Sequence, residues 1–134
     1  MKTITIVADD KVGLLADISY VLAKSKINIE SVNVEVVGGK AIIAIGVADV
    51  LKGKGVVEAA GYKVEEPNTI VIKIKDAPGE FESLARMVQK EGTKIQSSKV
   101  LSKDGRIAVM SLTVDKPKKA VSVLSSYLIT NETG

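Results

Sequence analysis

The sequence predicts an α+β chain of two tandem ferredoxin-like modules, each an antiparallel sheet with the order βαββαβ and helices on one face. Three observations predict it. The chain has 134 residues, and the 46% that are hydrophobic are mostly Val, Ile, Leu and Ala. It repeats itself after 66 positions, and each repeat switches between strand-type and helix-type periods. We therefore divide the chain into module 1, residues 1–66, and module 2, residues 67–134.

The internal repeat depends on the joint agreement of strand starts, turn glycines and acids near helix starts. Shifting the sequence by 66 positions needs no gap, and few side chains are identical, so the agreement lies in the pattern. The matched pairs are Thr3 with Thr69, Asp10 with Asp76, Gly13 with Gly79, Ile29 with Ile95, and Asp49 with Asp115.

Module 1 opens with a β-branched, alternating strand over residues 3–8. Helical spacing of apolar residues then predicts a helix. Residues 27–37 are predicted as a long, half-buried strand, and Gly38-Gly39 as a two-residue hairpin to the return strand 40–47. Asp49 is predicted to cap a second helix, which Gly53 and Gly55 should leave short or frayed. A last strand follows at residues 62–64. The helical apolar positions are Leu15, Ile18 and Leu22, and the buried strand positions are Val32, Val34 and Val36.

Module 2 has the same plan. Its first helix has apolar residues at positions 81, 84, 85 and 88, and Asp104-Gly105 predicts a second two-residue hairpin before the strand 106–114. Asp115 is predicted to cap the last helix, with Pro117 in its first turn. A weaker final strand is predicted at residues 127–129, and residues 66–68 form the predicted linker.

Composition excludes several classes of protein. The net charge is +3, the lysines are scattered among acids, and only four residues are aromatic, so the chain lacks the basic stripe and stacking rings of a nucleic-acid binder. It contains no Cys and no His, so it lacks thiolate sites and the commonest general base and metal ligand. Neither a signal peptide nor a membrane-spanning run of about 20 apolar residues is present. We expect a cytoplasmic protein without cofactor, metal or membrane partner.

The corner between the first strand and first helix of each module has the chemistry to hold a small zwitterion. A helix start offers N–H groups without intrahelical acceptors at the positive end of the helix dipole. Gly13 permits close approach, and Asp10 could accept hydrogen bonds from an ammonium group. The same residue types also build plain strand-to-helix turns, and residue chemistry alone favours the plain turn.

The two corners resemble those of the ACT domain, in which D-x-x-G precedes an amphipathic helix and I-N-I opens the next strand. Module 1 has residues 10–15, DKVGLL, and residues 27–29, INI; module 2 has residues 76–79, DAPG. The resemblance covers essentially the whole chain as two tandem copies. It implies a regulatory module that binds small molecules, most often amino acids, at an interface where two modules pair side by side.

Carried over by position, the resemblance implies ligand contacts from the first corner and from the start of the next strand of another module. Asn28 offers both a donor and an acceptor, and it equally suits a turn. Val12 stands where the family often has proline. The implied contacts are Asp10, Lys11, Val12, Gly13, Leu14, Leu15, Asn28 and Ile29.

Module 2 departs from this pattern, which puts an equivalent second site in doubt. Lys94 stands at the position of Asn28 and supplies donors only, and Pro78 removes one backbone N–H. The possible second site comprises Asp76, Ala77, Pro78, Gly79, Phe81, Lys94 and Ile95.

The leading hypothesis is a stand-alone, non-catalytic sensor of a free amino acid or similar metabolite. We expect a homodimer, with a regulated enzyme or other protein as a further candidate partner. The alternative is a structural or protein-interaction module with a vestigial ligand site, because the edges of such sheets pair readily. An enzyme is not predicted: no nucleophile motif is present, and the only arginines, Arg86 and Arg106, lie outside the first loop, where acylphosphatases of the same fold place theirs.

Overall fold

The computed structural model describes residues 2–66 and 69–129. The chain divides at residues 67–68 into two compact units, a first and a second unit, each described by itself below. Pro67 and Asn68 of the predicted linker lie outside the described residues. The first unit contains β1 (Lys2–Asp9), α1 (Leu14–Lys24), β2 (Ser31–Val37), β3 (Lys40–Val47), α2 (Val50–Ala59) and β4 (Lys63–Val64). The second contains β5 (Thr69–Lys75), α3 (Glu80–Lys90), β6 (Ile95–Lys103), β7 (Ile107–Val114) and α4 (Pro117–Val123).

The first unit confirms the predicted βαββαβ topology. Its strands lie in the order β2-β3-β1-β4, and every neighbouring pair is antiparallel. Because α1 has apolar residues at helical spacing, it buries Leu14, Ile18 and Leu22 against the isoleucines of β1 and β3.

The second unit repeats this plan, with its strands in the order β5-β7-β6. Leu84 and Val88 of α3 are fully buried in its core. The predicted last strand at residues 127–129 is reduced to a single bridge between Ile72 and Leu128, flanked by two backbone hydrogen bonds. In the first unit, the corresponding strand begins at Lys63 and not at Tyr62.

The ends of α1 and α3 share one turn that closes each helix. Lys26 and Gly92 both have positive φ, 60° and 74°, and their N–H groups bond back into the last helical turn. The next N–H bonds five residues back, from Ile27 to the Leu22 carbonyl at 3.0 Å and from Thr93 to the Val88 carbonyl at 3.3 Å. This turn delays β2, so the predicted strand start at residue 27 is wrong and β2 begins at Ser31.

The prediction that β2 is half-buried is also wrong. Val32, Val34 and Val36 pair with the core residues of β3, so they point to the core side of the sheet. They are nevertheless 42–51% exposed. The reason is that β2 is the edge strand, and burial of a strand face requires cover from the opposite layer.

The two hairpin loops differ by one residue. Gly38-Gly39 forms the predicted two-residue loop with positive φ at both positions. The second loop has three residues, 104–106, so its two-residue prediction is wrong. Asp104 holds the longer loop, because its carboxylate accepts from the Arg106 and Ile107 N–H groups at 2.9 and 2.8 Å.

The extra loop residue shifts the next strand, β7, and the start of the next helix, α4. Up to the hairpin, the ends of β1 and β5, the starts of α1 and α3, and the ends of β2 and β6 lie 66 residues apart. After it, β3 and β7, and α2 and α4, begin 67 residues apart. Asp49 caps α2 as predicted, by accepting from the Lys52 N–H at 3.1 Å. Asp115 does not cap α4, because the shift makes Lys116 the N-cap. The Asp115 carboxylate instead accepts from the Lys94 N–H at 2.7 Å.

Helix α2 is a continuous ten-residue helix, so the prediction that it is short or frayed is wrong. Tertiary packing offsets the low helix propensity of its glycines. Gly53 is buried, and a Cβ at that position would lie 3.3 Å from Val47 Cγ2. The missing side chain therefore lets α2 approach the sheet closely.

Candidate functional site

The first corner comprises residues 10–13, between the end of β1 and the start of α1. The Asp10 N–H donates to the Gly39 carbonyl at 2.9 Å, which fixes the corner to the β2–β3 hairpin. Gly13 has φ 85°, a conformation that side chains rarely adopt, and it is the N-cap of α1. Leu14 and Asp17 bond back to the Lys11 and Gly13 carbonyls. The N–H groups of Leu15 and Ala16, which follow Leu14 in the first turn of α1, have no intrahelical acceptor.

The side chains of the first corner divide between solvent and core. Asp10, Lys11 and Val12 are exposed, as is Gly13. Leu14 is only 4% exposed and belongs to the core, so it anchors the corner. Leu15 is 38% exposed and lies three residues after Val12. The corner therefore presents backbone donors, one carboxylate and two apolar side chains to solvent.

Charge around the first corner is partly neutralised by Lys40. Its Nζ lies 2.5 Å from an Asp9 carboxylate oxygen, across the β1–β3 ladder. The hydrogen bond from Lys40, and then its charge, hold the pKa of Asp9 below its ordinary value of 3.8. Among the described residues, no donor bonds the neighbouring Asp10 carboxylate. Asp10 is thus the acid of this corner that is left to accept from a ligand.

Asn28 and Ile29 lie at the opposite end of the sheet from the first corner of their own unit. Asn28 is exposed, and Ile29 packs at the edge of the core. Ser31 pairs with Gly46, which pairs with Thr3, whereas the corner follows Asp9. Six residues of strand span about 20 Å. One unit by itself therefore does not bring Asn28 to its own corner.

The second corner reproduces the backbone of the first. Asp76 donates its N–H to the Arg106 carbonyl at 2.9 Å, and Gly79, with φ 85°, is the N-cap of α3. The Glu80 and Ser83 N–H groups bond back to Ala77 and Gly79. The sequence repeat thus predicted the local backbone of both corners.

The electrostatics of the second corner differ from those of the first. Glu80 and Glu82 lie in the first turn of α3, where they stabilise the positive end of the helix dipole and would repel an incoming carboxylate. The first turn of α1 has a single acid, Asp17. The remaining predicted residues do not form an open site: Phe81 and Ile95 pack at the edge of the core, and the Lys94 backbone is bonded to Asp115.

Two features of the fold were not predicted from the sequence. The Asp9–Lys40 ion pair joins residues 31 positions apart, and only the register of β1 with β3 reveals it. A trough beside α4 that Lys118 and Lys119 line was also missed, although the three lysines within residues 116–119 were a signal that could have found it. Within residues 2–66 and 69–129, no group of His, Cys, Asp or Glu has an arrangement that could hold a metal ion. None of the described helices has the length and hydropathy to cross a membrane.

The ACT-domain family model matches residues 2–48, which span β1 to β3 and include the first corner, Asn28 and Ile29. This match agrees with the resemblance to the ACT domain that the sequence predicts for the first unit. The second unit lies outside the match and repeats the same topology, so the chain is a tandem of two ferredoxin-like units. No curated protein matches the chain.

Several solved structures are similar to this chain over most of its length. A protein of Bacteroides thetaiotaomicron is 20% identical, with 98% of this chain and 93% of that chain covered and a TM-score of 0.49. The regulatory subunit of aspartate kinase from Thermus thermophilus is 15% identical, with 92% and 90% covered and a TM-score of 0.41. The acetolactate synthase small subunit from Thermotoga maritima is 17% identical, with 93% and 84% covered and a TM-score of 0.42. At these values the similarities carry no conclusion about function.

Proposed function

We propose that the chain is a non-catalytic regulatory protein that binds a free α-amino acid at the first corner. The observation that carries the proposal is a combination at one exposed corner of the unit that matches the ACT-domain model: backbone N–H groups without an intrahelical acceptor, and a carboxylate that no donor of the described residues bonds. The ligand carboxylate accepts from the Leu15 and Ala16 N–H groups, and its ammonium donates to Asp10.

A second copy of the chain completes the site in this proposal. Asn28 and the first corner lie at opposite ends of one sheet, about 20 Å apart along β1. An antiparallel pairing of two first units would bring the Asn28 of one copy to the corner of the other. The Asn28 amide has both donor and acceptor groups for the two charges of an amino acid. Ligand binding would thereby be linked to assembly, which gives a regulatory output that a partner enzyme or other protein can read.

The second corner binds no amino acid in this proposal. It has the same backbone, but Glu80 and Glu82 oppose a carboxylate and Pro78 has removed one N–H. This difference supplies a matched control within one chain. The chain has no His and no Cys, and the proposal assigns it no catalysis.

The test is a thermal-shift screen against the twenty amino acids, followed by calorimetry on each compound that stabilises the chain. A ligand at 100 times its dissociation constant adds about 2.7 kcal/mol to the free energy of unfolding. We expect one or a few amino acids to raise the unfolding midpoint. Asp10→Ala and Asn28→Ala should abolish the shift, whereas Asp76→Ala should retain it.

Two outcomes contradict the proposal. If no amino acid shifts the midpoint, the corner is a structural turn, and the chain is better described as a protein-interaction module. If Asp76→Ala removes the shift while Asp10→Ala retains it, the ligand binds at the second corner.

A further inference from the structure

A solvent-open trough of about 510 Å³ lies in the second unit, between the end of α3 and one side of α4. Glu91, the C-cap of α3, forms one side. The other side is α4, which contributes Lys118, Lys119, Ser122 and Val123. Val123 is half-buried and the other four residues are exposed, so the trough has two ammonium groups over an apolar patch. Its volume lies within the range of specific binding sites, about 300–1,000 Å³.

The positive charge at the start of α4, beside this trough, is specific to the second unit, whereas the trough-lining residues Glu91, Lys118 and Lys119 have a net charge of +1. The residues that lie 67 positions earlier, and occupy the same places in α2, are Asp49, Leu51 and Lys52, whose charges cancel. The second unit has Lys116, Lys118 and Lys119 there. These exchanges change the charge at the start of the helix from zero to +3.

The same asymmetry extends over the two halves of the chain. Residues 1–67 contain eight lysines and nine acids, a net charge of −1. Residues 68–134 contain nine lysines, two arginines and seven acids, a net charge of +4. The second half therefore attracts anionic groups, and the first does not.

The lysines of the trough are available for a partner. Lys116, the N-cap of α4, is not among the lining residues and is occupied, because its Nζ donates to the Gly92 carbonyl at 3.2 Å. Within the part of the chain that the structure describes, Lys118 and Lys119 form no ion pair. Their long side chains can thus reach two carboxylates that lie along one segment.

We propose that this trough is the docking site for an acidic peptide segment of a partner protein. An aspartate or glutamate pair on the segment binds Lys118 and Lys119, and an apolar side chain between them packs on Val123. The Ser122 hydroxyl and Glu91 can bond the N–H groups of the segment. The inference goes beyond the proposed amino-acid site and does not depend on it, because every residue involved lies in the second unit.

The experiment selects binders to the native chain from a displayed library of random twelve-residue peptides, without any added amino acid. The selected peptides should be rich in Asp and Glu, with at least one Leu, Ile, Val or Phe between two acids. Their affinities are then measured by fluorescence anisotropy for the native chain and for two charge-matched double variants. Lys118→Glu/Lys119→Glu changes the trough, and Lys75→Glu/Lys103→Glu changes two exposed lysines of the same unit outside it.

We expect the trough variant to weaken peptide binding at least tenfold and the control variant to weaken it less than twofold. Equal weakening by the two variants would make the attraction a general effect of net charge and would overturn the proposal. Failure to select any peptide, or selection of peptides without acidic residues, would overturn it as well. The proposal would also be overturned if the trough variant still bound the selected peptides but lost binding to phosphatidylserine vesicles or single-stranded RNA. None of these results affects the amino-acid screen, so the two proposals fail separately.

Discussion

At the scale of single residues, the same turn ends the first helix of each unit but contains a different residue at its left-handed position. Gly92 closes α3 with φ 74°, whereas Lys26 closes α1 with φ 60°. A side chain in this left-handed conformation costs about 1 kcal/mol more than glycine. Lys26→Gly should therefore raise the free energy of unfolding by about 1 kcal/mol, and the reciprocal Gly92→Lys should lower it by a similar amount. Urea unfolding of both variants measures this; a destabilised Lys26→Gly chain would contradict the account.

The sequence predicted the residues of the first corner but could not show which of its two acids is paired with a lysine. Asp9 and Asp10 are adjacent and chemically identical, and only the pairing of β1 with β3 directs Lys40 to Asp9. Burial was equally beyond prediction at the next positions: Leu14 is core and Leu15 is exposed, although the two neighbours are the same residue type. The roles of these side chains follow from strand register and helix phase, which a single local pattern does not determine.

At the scale of elements, one inserted residue accounts for two wrong predictions. The repeat was aligned without a gap, so Asp104-Gly105 was equated with Gly38-Gly39, and Asp115 with Asp49. Three residues, 104–106, form the second loop, and β7 and α4 each begin one residue later than the repeat predicts. The N-cap of α4 consequently falls on Lys116, and Asp115 bonds the start of β6 instead. The inserted residue could not be recognised in the sequence, because hairpin loops of two and three residues use similar residue types.

Helix α2 supplies a matched test of packing against propensity. Gly55 faces open space, whereas a Cβ on Gly53 would lie 3.3 Å from Val47 Cγ2 and 3.7 Å from Ile4 Cδ1. Gly55→Ala should stabilise the chain by about 0.4–1 kcal/mol, because alanine favours the helix. Gly53→Ala should gain less or should destabilise, because the sheet must move to admit a methyl group. Urea unfolding compares the two variants; equal gains would show that α2 does not pack closely through Gly53.

At the scale of the whole molecule, the tandem ferredoxin-like fold was predictable because the sequence signals for its elements occur twice. Each strand, helix and turn signal occurs twice at nearly constant spacing, so weak local signals support one another. The strand edges were not predictable in the same way. The valines of β2 alternate as core residues do, yet they are exposed because β2 has a neighbour on one side only in its sheet. Sheet order, which decides that exposure, arises from the assembled unit and not from any one strand.

The two units each contribute one carboxylate that makes the whole chain sensitive to acid. The pKa of Asp9 is lowered by the hydrogen bond from Lys40, and the pKa of Asp104 by the backbone N–H groups of Ile107 and Arg106. A carboxylate whose folded-state pKa lies below its ordinary value of 3.8 stabilises the fold above that pH. This contribution is lost as the pH falls through the lowered pKa values, where both groups become protonated. Both are solvent-exposed, so the effect is small and calls for a difference measurement.

The double variant Asp9→Asn/Asp104→Asn isolates the effect, because Asn keeps an acceptor oxygen but does not titrate in this range. In urea unfolding at a series of pH values, we expect the native chain to be more stable than the variant at pH 7. The difference should narrow as the pH falls below 3.8 and through the lowered pKa values of the two carboxyl groups. Every other acid of the chain is common to both proteins, so its titration cancels in this difference. If the difference in free energy of unfolding stayed constant as the pH fell, the two side chains would stabilise their hairpins through packing and neutral hydrogen bonds and not through their charge.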